Sequence, residues 1–330
     1  MKQLIIFSIS ICCFCLSCNK NVVGISTQNI LQNNLDGYYD GKKLSASMER
    51  YLEQWEQTEP SQNEFYTSFS YYPLKGLEYE EGISRRDPST IIKIKDTYYV
   101  YYTRSSKTVA PVGYKKATKK VPANTWDLCD IYYATSKDGI NWKEQGVSVS
   151  RGPEGSFDDR SVFTPDILQY EGKYYLYYQA VSYPYTERSK NVIGMSWSES
   201  PDGPWHRFDT PVLKPGKPGK FVESSTKRAH IESYGDFDSH KVHDPNLIVR
   251  NSEIWMYYKA HPMGVGSEHP MPKGVGLKKP YPNFSMGLAI AKNPKGPFIK
   301  HPINPVSASG HEALVLSLIH ISEPTRLSWI

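Results

Sequence analysis

Three stretches of the chain carry one pattern of apolar and polar positions. The first runs Arg86-Asp87-Pro88-Ser89-Thr90-Ile91-Ile92 and leads to Tyr98-Tyr99-Val100-Tyr101-Tyr102. The second runs Phe163-Thr164-Pro165-Asp166-Ile167-Leu168 and leads to Tyr174-Tyr175-Leu176-Tyr177-Tyr178. The third runs His243-Asp244-Pro245-Asn246-Leu247-Ile248 and leads to Ile254-Trp255-Met256-Tyr257-Tyr258. A polar turn separates the two halves each time: Lys95-Asp96, Glu171-Gly172 and Asn251-Ser252. Two apolar runs joined by a short polar turn predict an antiparallel hairpin. The prolines stand 77 and 80 residues apart, a period that marks a repeat architecture.

A second element follows each hairpin. Asp138-Gly139-Ile140-Asn141-Trp142 is echoed by Pro201-Asp202-Gly203-Pro204-Trp205 and by Pro294-Lys295-Gly296-Pro297-Phe298. Glycine turns that end on an aromatic residue fit the outer hairpin of a four-stranded propeller blade. The expectation is an all-β propeller, with blades over 87–146, 164–212 and 244–305 and the Tyr-Tyr strand second in each. An irregular β-sandwich is the competing architecture. It does not account for two linked motifs repeated three times in one order.

Outside the repeat, residues 44–57 read as a helix, because Met48, Leu52 and Trp55 share a face at helical spacing. This helix predicts an N-terminal arm packed on the propeller or on a second subunit. Residues 4–16 are an apolar run behind Lys2, too short for a stable membrane span, and they read as an export signal. The run ends in Leu16-Ser17-Cys18, which resembles a bacterial lipobox and implies a lipidated Cys18, although Cys15 stands where leucine is usual. Simple secretion is the alternative. Gly310-His311-Glu312-Ala313-Leu314-Val315 reads as the start of a fourth blade, whereas residues 317–330 carry none of the repeat. The division expected is a signal segment over 1–18, a linker and arm over 19–69, an incomplete propeller over 70–316, and a non-native tail over 317–330 of a longer natural protein.

Composition narrows the class. Of the five cysteines only Cys129 lies beyond residue 18, so an exported form has no internal disulfide and depends on packing. A net charge of +5 is spread along the chain, and pairs such as Lys115-Lys116 accompany no nucleic-acid motif. The 25 tyrosines fit both packing between sheets and stacking against sugar rings.

The candidate chemistry follows from aligning the prolines. Asp87, Thr164 and Asp244 then occupy one equivalent position at the starts of inner strands, and His311 follows in the fourth blade. In a propeller such positions converge on the mouth of the central channel. Two carboxylates, a hydroxyl and an imidazole around one pocket are what glycoside hydrolysis needs. Asp166 aligns with Ser89 and Asn246 and reads as a structural side chain capping a strand start. His240, His243 and Asp244 offer metal-ligand types, so a divalent cation near the pocket is compatible with them. Their spacing requires no cofactor.

Taken together, Arg86-Asp87-Pro88, Thr164-Pro165-Asp166, His243-Asp244-Pro245-Asn246 and Gly310-His311-Glu312-Ala313 resemble glycoside hydrolase family 117, over a stretch from the helical arm to Val315. The resemblance implies a five-bladed, dimeric, inverting exo-enzyme that removes terminal 3,6-anhydro-L-galactose from neoagaro-oligosaccharides. It implies Asp87 as general base, Asp244 as the carboxylate that orients the sugar and stabilises positive charge, and His311 as general acid held by Glu312. Arg86, Thr164, Gln179 and His243 are the candidate sugar contacts, and Trp126 a stacking wall. Two rivals remain. One resembles families 43 or 32 and uses Glu312 or Glu223 as acid. The other is a surface glycan-binding lipoprotein without catalysis, which has no need of two aligned aspartates.

Overall fold

The computed structural model describes residues 38–39, 42–43, 74–106, 109–264 and 284–307. Cys18, the helix expected over 44–57, His311, Glu312 and the tail over 317–330 lie outside the described residues. Among the described residues every regular element is a strand. A short pair comes first, β1 (Tyr38–Tyr39) with β2 (Lys42–Lys43). Blade one comprises β3 (Ile83–Pro88), β4 (Ile92–Ile94), β5 (Thr97–Ser106), β6 (Asp130–Ser136) and β7 (Trp142–Val149). Blade two comprises β8 (Ser161–Tyr170), β9 (Lys173–Val181), β10 (Val192–Ser198) and β11 (His206–Arg207). A separate hairpin, β12 (Pro218–Phe221) with β13 (Ile231–Gly235), precedes blade three. Blade three comprises β14 (Lys241–Arg250), β15 (Glu253–His261), β16 (Ser285–Ala291) and β17 (Ile299–Lys300).

Within each blade the strands follow chain order and pair antiparallel, with the Tyr-Tyr strand second, as the repeat predicts. In blade one, β3 and β4 both pair with β5 and do together what β8 does alone in blade two. Burial follows position in the stack. The second strand β9 is buried on both faces, because a blade covers each side of it. The outer strand β7 alternates buried and open residues, as a strand with one wet face must.

The tyrosines join the blades. Tyr101 donates its hydroxyl to Pro201 O at 2.6 Å, and its blade-two counterpart Tyr177 donates to Pro294 O at 2.7 Å. The aromatic residue closing each of those turns packs edge-on against the same tyrosine. Trp205 stands 5.6 Å from Tyr101, and Phe298 stands 5.9 Å from Tyr177. Burying each ring contributes about 1.5–3 kcal/mol, and the bonded hydroxyl avoids the cost of an unsatisfied polar group.

In blades two and three the second tyrosine of the pair packs toward the preceding blade. Tyr178 bonds Asp158 and Tyr258 bonds Asp238, and each of these buried aspartates pairs with a cation of its own outer strand, Arg207 or Lys300. Gly194 and Gly287 lie opposite Tyr178 and Tyr258. A Cβ at Gly287 would stand 2.3 Å from the Tyr258 ring. Asp166 ties the three blades together, accepting bonds from Thr90 N at 3.1 Å, Asn246 Nδ2 at 3.2 Å and Leu247 N at 2.9 Å. It is structural, as expected, but it bridges blades rather than capping a strand.

Candidate active site

Asp87, Thr164 and Asp244 each have φ 49°, in the left-handed region, and each precedes a proline. The ladder register shifts at all three, between Arg86 and Pro88, Phe163 and Asp166, and His243 and Asn246. These residues therefore sit on bulges inside the inner strands, not at their starts as the alignment suggested. The strands begin earlier, at Ile83, Ser161 and Lys241. A bulge turns a side chain out of the regular alternation, and left-handed backbone at a non-glycine residue costs about 1–3 kcal/mol. The fold holds this strain three times at one level.

All three residues line one cavity of about 250 Å³, and so do Trp126, Gln179 and His243. Asp87 and Asp244, from blades one and three, thus share a pocket, as predicted. Trp126 Nε1 donates to Asp87 Oδ2 at 3.0 Å. Arg86 is not in the lining. Its guanidinium lies 4.3 Å from the Trp126 ring centre, and its Nη1 donates to Thr125 Oγ1. Arg86 therefore holds the tryptophan from behind, while the indole stays 40% exposed at the pocket. Thr164 N donates to Thr103 Oγ1 at 2.7 Å, joining blades one and two beneath the cavity.

The loop carrying Trp126 is fixed by a buried ion pair. Arg160 grips Asp127 with two bonds of 2.5 Å and also donates to Thr118 O and Val121 O. Ser161 Oγ donates to Trp126 O at 2.7 Å.

Asp244 is buried, with Lys259 Nζ 2.7 Å from its Oδ2 and His243 Nδ1 3.4 Å from its Oδ1. Burial alone would raise its pKa, but the charges and hydrogen bonds of His243 and Lys259 override burial and hold the carboxyl well below the usual range. Lys259 is the lasting partner, because burial pushes His243 down to about 4. His261 lies 4.4 Å from the His243 ring, and burial pushes it well below the usual histidine range too. His243, His261 and Asn191 line the cavity, and the Nε2 atoms of both histidines and Oδ1 of Asn191 are buried without hydrogen-bond partners among the described residues.

Lys259, His261, Asn191, Lys241 and Arg228 escaped the sequence reading. The signal for Lys259 was present: it follows Tyr257-Tyr258 as Gln179 follows Tyr177-Tyr178. Of the other expected residues, Glu223 is exposed between β12 and β13 and is absent from the lining. His240 lies outside the lining, edge-on to Phe221. Among the described residues no three His, Cys, Asp or Glu side chains gather in a metal-holding group.

Three antiparallel blades of five, four and four strands, with Asp87 and Asp244 lining one pocket, have the form of a propeller-like glycoside hydrolase. The family model described as glycosyl hydrolases family 43 matches residues 83–219. Zg3597, a family 117 glycoside hydrolase of the marine bacterium Zobellia galactanivorans, is 38% identical, with 75% of this chain and 68% of that chain covered and a TM-score of 0.59. The protein belongs to glycoside hydrolase family 117. A further glycoside hydrolase is 14% identical over 73% of this chain and 63% of its own, with a TM-score of 0.49. A thermostable family-43 glycoside hydrolase is 17% identical over 72% and 76%, with a TM-score of 0.33. No curated protein matches the sequence.

Proposed function

We propose that the protein is an inverting exo-hydrolase that removes a terminal 3,6-anhydro-L-galactose from neoagaro-type oligosaccharides of red-algal galactans. The observation that supports this most is the shared pocket of Asp87 and Asp244, with Trp126 bonded to the first and Lys259 to the second. Asp87 takes a proton from water as the water oxygen bonds to the anomeric carbon. The glycosidic C–O bond breaks on the opposite face, and the leaving oxygen takes its proton from His311, held by Glu312. Asp244 faces the positive charge that develops on the ring. The roles of His311 and Glu312 rest on the resemblance of Gly310-His311-Glu312-Ala313 to the family 117 motif.

Proton NMR of neoagarobiose, porphyran and carrageenan oligosaccharides incubated with the enzyme tests the proposal. Release of the anhydro sugar with inverted anomeric configuration is expected, and Asp87→Asn should lower turnover by about 10²–10⁴-fold while binding persists. Binding of these sugars with no monosaccharide released from any of them would overturn it in favour of a glycan-binding protein. The family 43 match favours one second reading, a carboxylic acid donor at Glu312. Near-normal turnover in His311→Ala together with loss in Glu312→Gln would establish that donor instead.

Export, a lipid anchor at Cys18 and a dimer through the N-terminal arm belong to the same proposal. Metabolic labelling with a radiolabelled fatty acid, lost in Cys18→Ala, tests the anchor. Sedimentation of the protein with and without residues 19–69 tests the dimer.

A further inference from the structure

The charges around the cavity do not balance. Arg228, Lys241 and Lys259 line it together with Asp87 and Asp244. Both carboxylates are engaged, Asp244 by Lys259 and Asp87 by the Trp126 indole, with Arg86 Nε 3.8 Å from the same oxygen. Lys241 and Arg228 remain: neither side chain forms an ion pair among the described residues, and Glu187, which accepts from the Arg228 backbone N–H, is paired with Lys227. Lys241 is nine-tenths buried, at the foot of β14, and the charged groups that act on it are the like charges of Arg228 and Lys259. Burial first, then those two cations, push it down to about 8. In blade two the matching position is Ser161, which is spent on clamping Trp126. A buried ammonium beside two other cations is a costly thing to keep without a counter-charge.

We infer that Lys241 and Arg228 form an anion subsite, and that the oligosaccharide this enzyme takes carries a fixed oxyanion substituent, a sulfate ester or a sugar carboxylate. This rests on the glycoside hydrolase reading and narrows its substrate class. The substituent sits on the face of the sugar turned toward blade three, between β14 and the connection from β12 to β13. An anion placed there turns mutual repulsion of the cations into charge-assisted hydrogen bonds.

The test is titration calorimetry at low ionic strength with neoagarobiose, neocarrabiose 4-sulfate and a hexuronate-containing disaccharide, with product release followed in the same samples. At least one anionic ligand should bind roughly tenfold more tightly than neutral neoagarobiose, the gap closing as salt is added. Which of the two is preferred distinguishes sulfate from carboxylate. The preference should vanish in Lys241→Gln and in Arg228→Gln. Arg228 is only half-buried, so its variant keeps the test sound should Lys241→Gln fold poorly. Equal or tighter binding of neoagarobiose than of both anions, unchanged in both variants, would overturn the subsite even if the neutral sugar is hydrolysed. A preference for the anion with no product from any ligand would leave the subsite standing and remove the hydrolase reading instead.

Discussion

Lys259 Nζ donates to Asp244 Oδ2 across 2.7 Å, and both side chains are buried. The two residues come from paired strands, yet they meet only because the bulge at Asp244 turns its carboxylate toward the strand carrying Lys259. Lys259→Met leaves a buried carboxylate without its cation, a loss of about 3–5 kcal/mol when one partner of such a pair is removed. The expected result is a large drop in melting temperature and a fall in kcat/KM beyond what the loss of folded protein explains. Calorimetry and kinetics on the folded fraction check both.

Trp126→Phe keeps an aromatic wall and the stack with Arg86 but removes the one donor from the ring to Asp87. A hydrogen bond to a charged group is worth about 1.5–3 kcal/mol. The expected outcome is a fall of about tenfold or more in kcat with a smaller change in KM, and a melting temperature close to that of the parent. An unchanged kcat would show that the indole N–H does not set the position of the base.

Arg160→Met should act at a distance. It frees Asp127 inside the protein and releases the carbonyls of Thr118 and Val121, so the loop bearing Trp126 loses its anchor. Destabilisation of about 3–5 kcal/mol is expected. Near-ultraviolet circular dichroism of the tryptophans should change along with activity.

Asp166 gives the fold a pH dependence with a definite sign. Burial raises its pKa from the ordinary aspartate value of 3.8 to about 6, against the pull of the Leu247 and Thr90 backbone N–H groups. The folded state thus holds the proton more tightly than the unfolded chain between those values. This contribution is fully present below about pH 4 and is lost as pH rises through about 6, amounting to about 2–3 kcal/mol. Asp244, with its lowered pKa, works in the opposite sense, and its stabilisation is lost only as the medium becomes more acid than about pH 4. Denaturant titrations of the parent and Asp166→Asn across pH 4–7 should show a slope in the parent that is absent from the difference at higher pH. A flat parent curve would mean that the three donors outweigh burial.

Much of this molecule is legible in its sequence. The spacing of Pro88, Pro165 and Pro245, with the Tyr-Tyr runs behind them, placed three hairpins and their outer partners, because apolar alternation and turn chemistry are local properties of the chain. The same alignment put Asp87, Thr164 and Asp244 at one level, and a longer alignment would have caught more. Phe157-Asp158 and Phe237-Asp238 precede their motifs at the same distance, and they supply the buried aspartates beneath Tyr178 and Tyr258.

Tertiary structure decided what the pocket is made of. The pattern along the chain says which face of a strand is wet, but a bulge breaks that alternation, so the aim of Asp87 and Asp244 follows from backbone strained at φ 49°. Trp126 lies in a loop with no repeat, and its meeting with Asp87 depends on Arg160 reaching back to Asp127. Lys241 and Arg228 carry no motif, and their charge acquires meaning only where burial removes water and the nearby carboxylates are already paired. Repetition is written residue by residue, whereas electrostatics inside a cavity depends on every group that the folded chain brings to it.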